Sequence, residues 1–310
     1  MLEQHPEELQ NSYISSKNKE VINNMYDKSP LNYVGGKYKM LPQIMRFFPR
    51  RINNMYDLFA GGCDVCTNIQ ANNIFANDIN FFVIDIYRAF QAMNINELLD
   101  VIDGIIEEWD LSMDNEASYL AFRNHYNSLP VAQRNPIELY VLVCYSFNYQ
   151  FRFNNHHGFN NPFGRNRSSF NSTMRENLIV FHSKLNNIQF TSCNFLDLNL
   201  AFLGQGDFLY ADPPYRITTA SYNDGRRGFE GWSLEDDLRL FELLDDLNQR
   251  GVKFALSNVT HHKGNTNDAL IQWKRQNHYH VHRINYNYNN SNYHSQNTNQ
   301  ETREVLITNY

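Results

Sequence analysis

Asp212, Pro213, Pro214 and Tyr215 close the apolar run Asp207-Phe208-Leu209-Tyr210-Ala211. The run reads as a short buried strand, and two prolines end it because neither can donate to a sheet ladder. A carboxylate, a rigid backbone carbonyl and an aromatic face are left together at the strand tip. Such a set can accept hydrogen bonds from a planar amino group while stacking on the ring that carries it. A nucleobase swung out of a duplex offers both features. The plainer reading is a Pro-Pro turn with an Asp and a Tyr nearby.

Two further loops suit a ligand. Asp57-Leu58-Phe59-Ala60-Gly61-Gly62 joins a strand tip to glycines, which allow either close approach of backbone to a ligand or simply a tight turn. Asp78 ends the short strand Ile74–Asn77, where a carboxylate suits a ribose diol or caps the next helix. Neither G-x-G-x-x-G nor G-x-x-x-x-G-K-[ST] occurs, which disfavours nicotinamide and nucleoside-triphosphate cofactors.

A net charge of −6 does not advertise nucleic-acid binding, so the distribution of charge decides. No acidic residue lies between Glu138 and Glu176, whereas Arg152, Arg165, Arg167 and Arg175 do. Phe147, Tyr149, Phe151, Phe153, Phe159, Phe163 and Phe170 are interleaved with them. Arginines that neutralise phosphates, beside aromatics that stack on bases, would make a DNA contact; a solvated basic loop is the alternative. Arg226-Arg227, after the Pro-Pro turn, invite the same two readings. Cys63, Cys66, Cys144 and Cys193 lack a second pair or a Cys-His cluster at ligand spacing, and read as reduced thiols in the cell interior. His261, His262, His278, His280 and His282 match no recognised metal site, so no metal is expected.

The elements that must position these residues alternate before residue 100. Tyr38–Phe48 is helix-like, Met55–Phe59 a strand, the stretch from Gly62 to Asn72 a helix, and Ile74–Asn77 a strand. Helices over Phe81–Ala92 and Asn96–Trp109 follow, and the alternation is that of a parallel sheet with crossover helices. From about 100 to 190 the pattern turns to helices with long Asn-, Phe- and Gly-rich loops, which suggests an inserted domain. Strands resume at Ile188–Ser192, Asp207–Ala211, Lys253–Asn258 and Glu304–Asn309. A capping box at Ser233–Asp236 starts a helix that Gly251 stops. The Asn- and Tyr-rich tract Asn285–Gln300 reads as a long loop or hairpin. No apolar stretch reaches membrane length and the start is polar, so neither a signal peptide nor a membrane span is expected, and the location is cytoplasmic.

Taken in chain order, Gly35-Gly36-Lys37, Asp57–Gly62, Asn77-Asp78, the basic aromatic segment, Asp212–Tyr215 and Phe254–Asn258 resemble the Dam-like (D12-class) family of S-adenosylmethionine-dependent DNA adenine-N6 methyltransferases. The resemblance runs from about Pro30 to the C-terminus. Arg152-Phe153-Asn154 and Gly158–Gly164 match a family stretch with one change, Asn161 where Val is usual. What this implies is an α/β fold: a Rossmann-like, seven-stranded, mostly parallel sheet built from 29–99 and 188–310. A mainly helical target-recognition domain over 100–187 would be inserted, and residues 1–28 would be an extension. The cofactor S-adenosyl-L-methionine would be held by Tyr33 (where the family has Trp), Lys37, Asp57, Phe59, Gly61, Asp78, Phe195 and Asp212. Asp212, Pro213 and Tyr215 would act on the 6-amino group of an adenine flipped from double-stranded DNA. Arg152, Asn154, Arg165, Arg167, Arg226 and Arg227 would contact the duplex. A restriction endonuclease acting separately would be the partner of a monomer or weak dimer. Methylation of cytosine N4 is less favoured, since such enzymes commonly carry Ser in place of Asp212. A regulator without catalysis is disfavoured by usable side chains at every acceptor and cofactor position.

Overall fold

The computed structural model describes residues 25–219, 231–285 and 302–310. Pro42 can sit only in the first turn of a helix, and the expected single helix over Tyr38–Phe48 is accordingly broken. It becomes a 3₁₀ turn (Tyr38–Met40), one α-turn (α1, Leu41–Ile44) and a second 3₁₀ turn (Met45–Phe47). β1 (Asn54–Asp57) and β2 (Asn73–Asn77) follow. The helix expected after Gly62 is a succession of turns instead. Gly61 and Cys63 take positive φ of 47° and 58° there, which an α-helix cannot absorb.

Five helices precede the next strand: α2 (Phe81–Gln91), α3 (Ile95–Glu108), α4 (Glu116–Ser128), α5 (Pro136–Tyr145) and α6 (Ser172–Leu185). α5 is apolar all round and buried from Leu139 to Tyr145, so it becomes the axis on which α2, α3 and α4 pack. Then come β3 (Ile188–Thr191), β4 (Phe208–Ala211), α7 (Arg216–Thr219), α8 (Leu234–Gln249), β5 (Lys253–His262), β6 (Asn265–Thr266), α9 (Asp268–Gln276), β7 (His280–Ile284) and β8 (Thr302–Thr308). The Ser233/Asp236 capping box forms as expected, and Gly251 follows α8 at φ 76°. The strand expected at Lys253–Asn258 runs on to His262. Helix α9 and strand β7 were not anticipated.

The strands form one α/β sheet in the order β3-β2-β1-β4-β5-β8-β7, with the two-residue β6 beside β5. Pairing is parallel from β3 to β5 and antiparallel at β8 and β7. Strand alternation divides the core. Phe208 and Tyr210 join the apolar cluster of α2–α6, whereas Leu209 and Ala211 join the cluster of α8 and α9. The result is a sheet covered on both faces. The helices between β2 and β3 share their apolar cluster with one face of the sheet. Among the described residues, no helix is long and apolar enough to cross a membrane.

Candidate active site

Register brings three carboxylates to one edge. Asp57 lies opposite Tyr210 on β4 and Ala76 on β2, so Asp212 and Asp78, each two residues further on, leave the sheet beside it. Strand order reverses between β1 and β4, the place where open α/β sheets form their ligand crevice.

The Gly-Gly-Lys loop folds back over this edge because Asp64 holds it. Asp64 Oδ2 accepts the Tyr38 N–H at 3.1 Å, and a Cβ on Gly36 would lie 2.9 Å from the same oxygen. Burial pushes the Asp64 carboxyl up to about 6, with backbone donors and Lys37 pulling the other way. Lys37 thereby reaches Asp212, with Nζ 2.7 Å from Oδ2, 3.9 Å from Glu304 Oε1 and 5.1 Å from the centre of the Tyr215 ring. Burial alone would lower the Lys37 pKa, but the charges of Asp212 and Glu304 outweigh it and hold the ammonium protonated. Asp212 is pushed up by burial, and Lys37 and the Tyr215 hydroxyl oppose that rise. The Tyr215 hydroxyl is 2.9 Å from Asp212 Oδ1 and also 2.9 Å from Glu304 Oε1.

Asp78 is no helix cap. Its Oδ2 accepts the Gly61 N–H at 2.8 Å and its Oδ1 the Asn80 N–H at 2.8 Å, tying the glycine turn to β2. The Tyr33 ring lies 3.0 Å from where a Cβ on Gly61 would stand, and the Tyr33 Cβ 3.3 Å from where one on Gly62 would, so side chains there would crowd that approach. Asp57 is buried, and its Oδ1 has no hydrogen-bond partner among the described residues. Burial and the neighbouring Asp212 and Asp78 push its carboxyl well above the usual range. Phe59 and Phe195 lie 5.5 Å apart, and Trp232 completes the wall at 5.4 Å and 5.5 Å from them. Trp232 was not foreseen, nor were Asp64 and Glu304. Pro213 is buried directly after β4.

The proposed DNA contacts fall elsewhere. Arg152, Arg165 and Arg167 are exposed, Arg165 pairs with Glu116, and the Arg167 guanidinium lies 5.1 Å from the Phe147 ring centre. Asn154 Oδ1 shapes its own turn by accepting from His156 and Gly158. The reading of these aromatics as a base-stacking surface is overturned for most of them. Phe151, Phe153, Phe159, Phe163 and Phe170 are buried in the core, and of this segment's phenylalanines Phe147 alone is exposed, at 40%. Arg226, Arg227, residues 1–24 and most of the Asn-Tyr tract lie outside the described residues. Of the histidines singled out above, His282 stacks on Phe47 at 3.9 Å, and His262 hydrogen-bonds to Thr302.

Similarity to known proteins agrees with this architecture. The type II methyltransferase M.FokI of Planomicrobium okeanokoites is 46% identical over 97% of this chain and 46% of its own length. The modification methylase StsI of Streptococcus sanguinis is 47% identical over 97% of this chain and 45% of its own. The DNA adenine methylase of Escherichia coli (strain K12) is 25% identical over 74% of this chain and 79% of its own. The chain thus spans about half the length of the first two relatives. A family model matches residues 33–302. The chain belongs to the D12 class N6 adenine-specific DNA methyltransferases.

Proposed function

We propose that the chain transfers a methyl group from S-adenosylmethionine to the 6-amino group of adenine in double-stranded DNA, within a restriction-modification system. The observation that carries this reading is the Lys37–Asp212–Tyr215 cluster at the sheet's switch point, with Asp57 and Asp78 at its side.

The donor set fits the cofactor. Carboxylates outnumber Lys37, and the unpartnered Asp57 oxygen suits a ligand carrying sulfonium and ammonium charges. Asp78 would hold the ribose hydroxyls, the Gly61 turn would let the ligand approach the backbone, and Phe59 and Phe195 would flank the adenine with Trp232. Tyr33 would brace the glycine turn and Lys37 would fix Asp212. When bound, the cofactor supplies a methyl carbon already activated by its positive sulfur.

The adenine amine is a weak nucleophile because its lone pair is delocalised into the ring. Asp212 and the Pro213 carbonyl would accept its two hydrogens and localise that pair. Tyr215 would stack on the flipped base, worth about 1–3 kcal/mol against the few that extrusion costs. The 100–187 segment is the target-recognition part of this reading, with Arg152, Asn154, Arg165 and Arg167 toward the duplex and Arg226 and Arg227 assisting. Labelled-methyl transfer to unmethylated duplex, followed by base analysis, tests it. N6-methyladenine is the expected product, and N4-methylcytosine or no transfer refutes the reading. Asp212→Ala should fall by about a hundredfold or more while its far-UV circular dichroism stays unchanged.

A further inference from the structure

Glu304 belongs to none of the motifs along the chain, yet it is 2% exposed and lies against the reacting cluster. On β8 it stands opposite Val259 of β5 and Ile284 of β7, neither of them charged. Its Oε1 is 2.9 Å from the Tyr215 hydroxyl, which is equally close to Asp212 Oδ1. A phenol has one hydrogen to donate. With both carboxylates ionised, one of these contacts sets acceptor against acceptor; with a proton on either carboxyl, both become hydrogen bonds. Three oxygens in line with one extra proton make a relay.

Resting on the methyl-transfer reading above, we propose that Tyr215 and Glu304 remove the proton that the adenine amine loses on methylation. When N6 bonds to the methyl carbon, its lone pair becomes the new bond and the nitrogen holds two hydrogens and a positive charge. One N–H bond breaks, its electron pair stays on nitrogen, and the proton passes to Asp212. Asp212 then gives a proton to the Tyr215 oxygen as the phenol hydrogen moves to Glu304. No oxidant or reductant is needed. Lys37 sets the direction: its ammonium is 2.7 Å from Asp212 and 3.9 Å from Glu304, so it stabilises a negative charge on Asp212 more than one on Glu304. Tyr210, facing the cluster from β4, is held neutral by burial and by the Asp212 charge. Glu304 is a positioning residue that acts through Tyr215 without touching the base, and Asp212 is returned to its anionic form.

The test uses Glu304→Gln, Tyr215→Phe and the double variant of the full chain. Gln still accepts the phenol hydrogen but cannot take a proton; Phe keeps the ring and loses the relay. Each single variant should slow methyl transfer to a short duplex by about tenfold or more at neutral pH, with the double variant no slower than the worse single. The deficit should narrow as pH rises from mildly acidic to mildly alkaline, because solvent base then discharges Asp212 directly. Calorimetric Kd values for S-adenosylhomocysteine and for DNA should stay within about twofold of the parent. A loss that is equal at every pH, that multiplies in the double variant, or that is absent overturns the relay. If the parent chain itself methylates no adenine, the underlying reading fails instead. Should Glu304→Gln not fold, the pH profile of Tyr215→Phe decides alone.

Discussion

Asp64 shows how a residue outside the chemistry sets it. Its carboxyl is buried under the Gly-Gly-Lys loop and rises from the ordinary 3.8 to about 6. The folded state therefore holds a proton more tightly than the unfolded chain does. Stability from this group is full below about 3.8, is lost as pH rises to about 6, and is constant beyond. The shift corresponds to about 3 kcal/mol at most. Asp64→Asn keeps an oxygen for the Tyr38 N–H and removes the titration. Relative to the parent, the variant should gain stability as pH climbs through that window, read as the difference between paired denaturant melts. A difference that does not change with pH would refute the assignment. Asp212, Tyr215 and Lys37 were legible in the sequence because strand tip, turn and loop chemistry are local. Asp64 and Glu304 were not. Asp64 gains its role by bonding to Tyr38, 26 residues earlier, and Glu304 meets Tyr215 across a separation of 89. Only sheet closure brings such pairs together.

At the level of elements, apolar runs with clear ends were read correctly, and failures came where turn chemistry won. The segment after Gly62 has helical composition, yet the positive φ at Gly61 and Cys63 commits it to turns beside Asp57 and Asp78. The aromatic segment before residue 170 looked like a stacking surface, but the fold spends those rings on its own core because the loops carry few other apolar residues. Asn161, the departure from the family stretch, explains how Phe147 remains outside. The Asn161 amide is buried and donates to Ser146 Oγ at 2.7 Å, Phe147 O at 2.9 Å and Gln150 O at 3.1 Å. It clamps a loop in which Asn148 and Tyr149 both take positive φ. Valine fits the volume but supplies none of these donors, leaving two partly buried carbonyls to find others. Asn161→Val should cost roughly 2–4 kcal/mol in denaturant unfolding. It should also weaken DNA binding, as should Phe147→Ala, the latter without destabilising the fold. An Asn161→Val protein as stable as its parent would show that the clamp is dispensable.

For the whole molecule, the parallel part of the sheet and the last strand, β8, were foreseeable from sequence patterns, whereas β7 and its antiparallel pairing with β8 were not. Charge poses the larger question, since the proposed methylation of DNA would bring a chain of net −6 to a polyanion. The distribution answers it only where arginines are not already neutralised. Arg175 pairs with Asp103 of α3 and lies 5.0 Å from the Phe170 ring centre, so its charge is spent within the fold. Arg152 and Arg167 are exposed and make no ion pair among the described residues. Each phosphate neutralised releases condensed counterions, and the slope of log affinity against log salt steepens by about 0.9 per contact. Arg152→Ala and Arg167→Ala should each flatten that slope by about one, with little dependence on DNA sequence. Arg175→Ala should leave it unchanged. Fluorescence anisotropy on a duplex across a salt series separates the cases, and a slope change as large for Arg175 as for Arg152 would mean that the basic segment does not meet the backbone through these two residues.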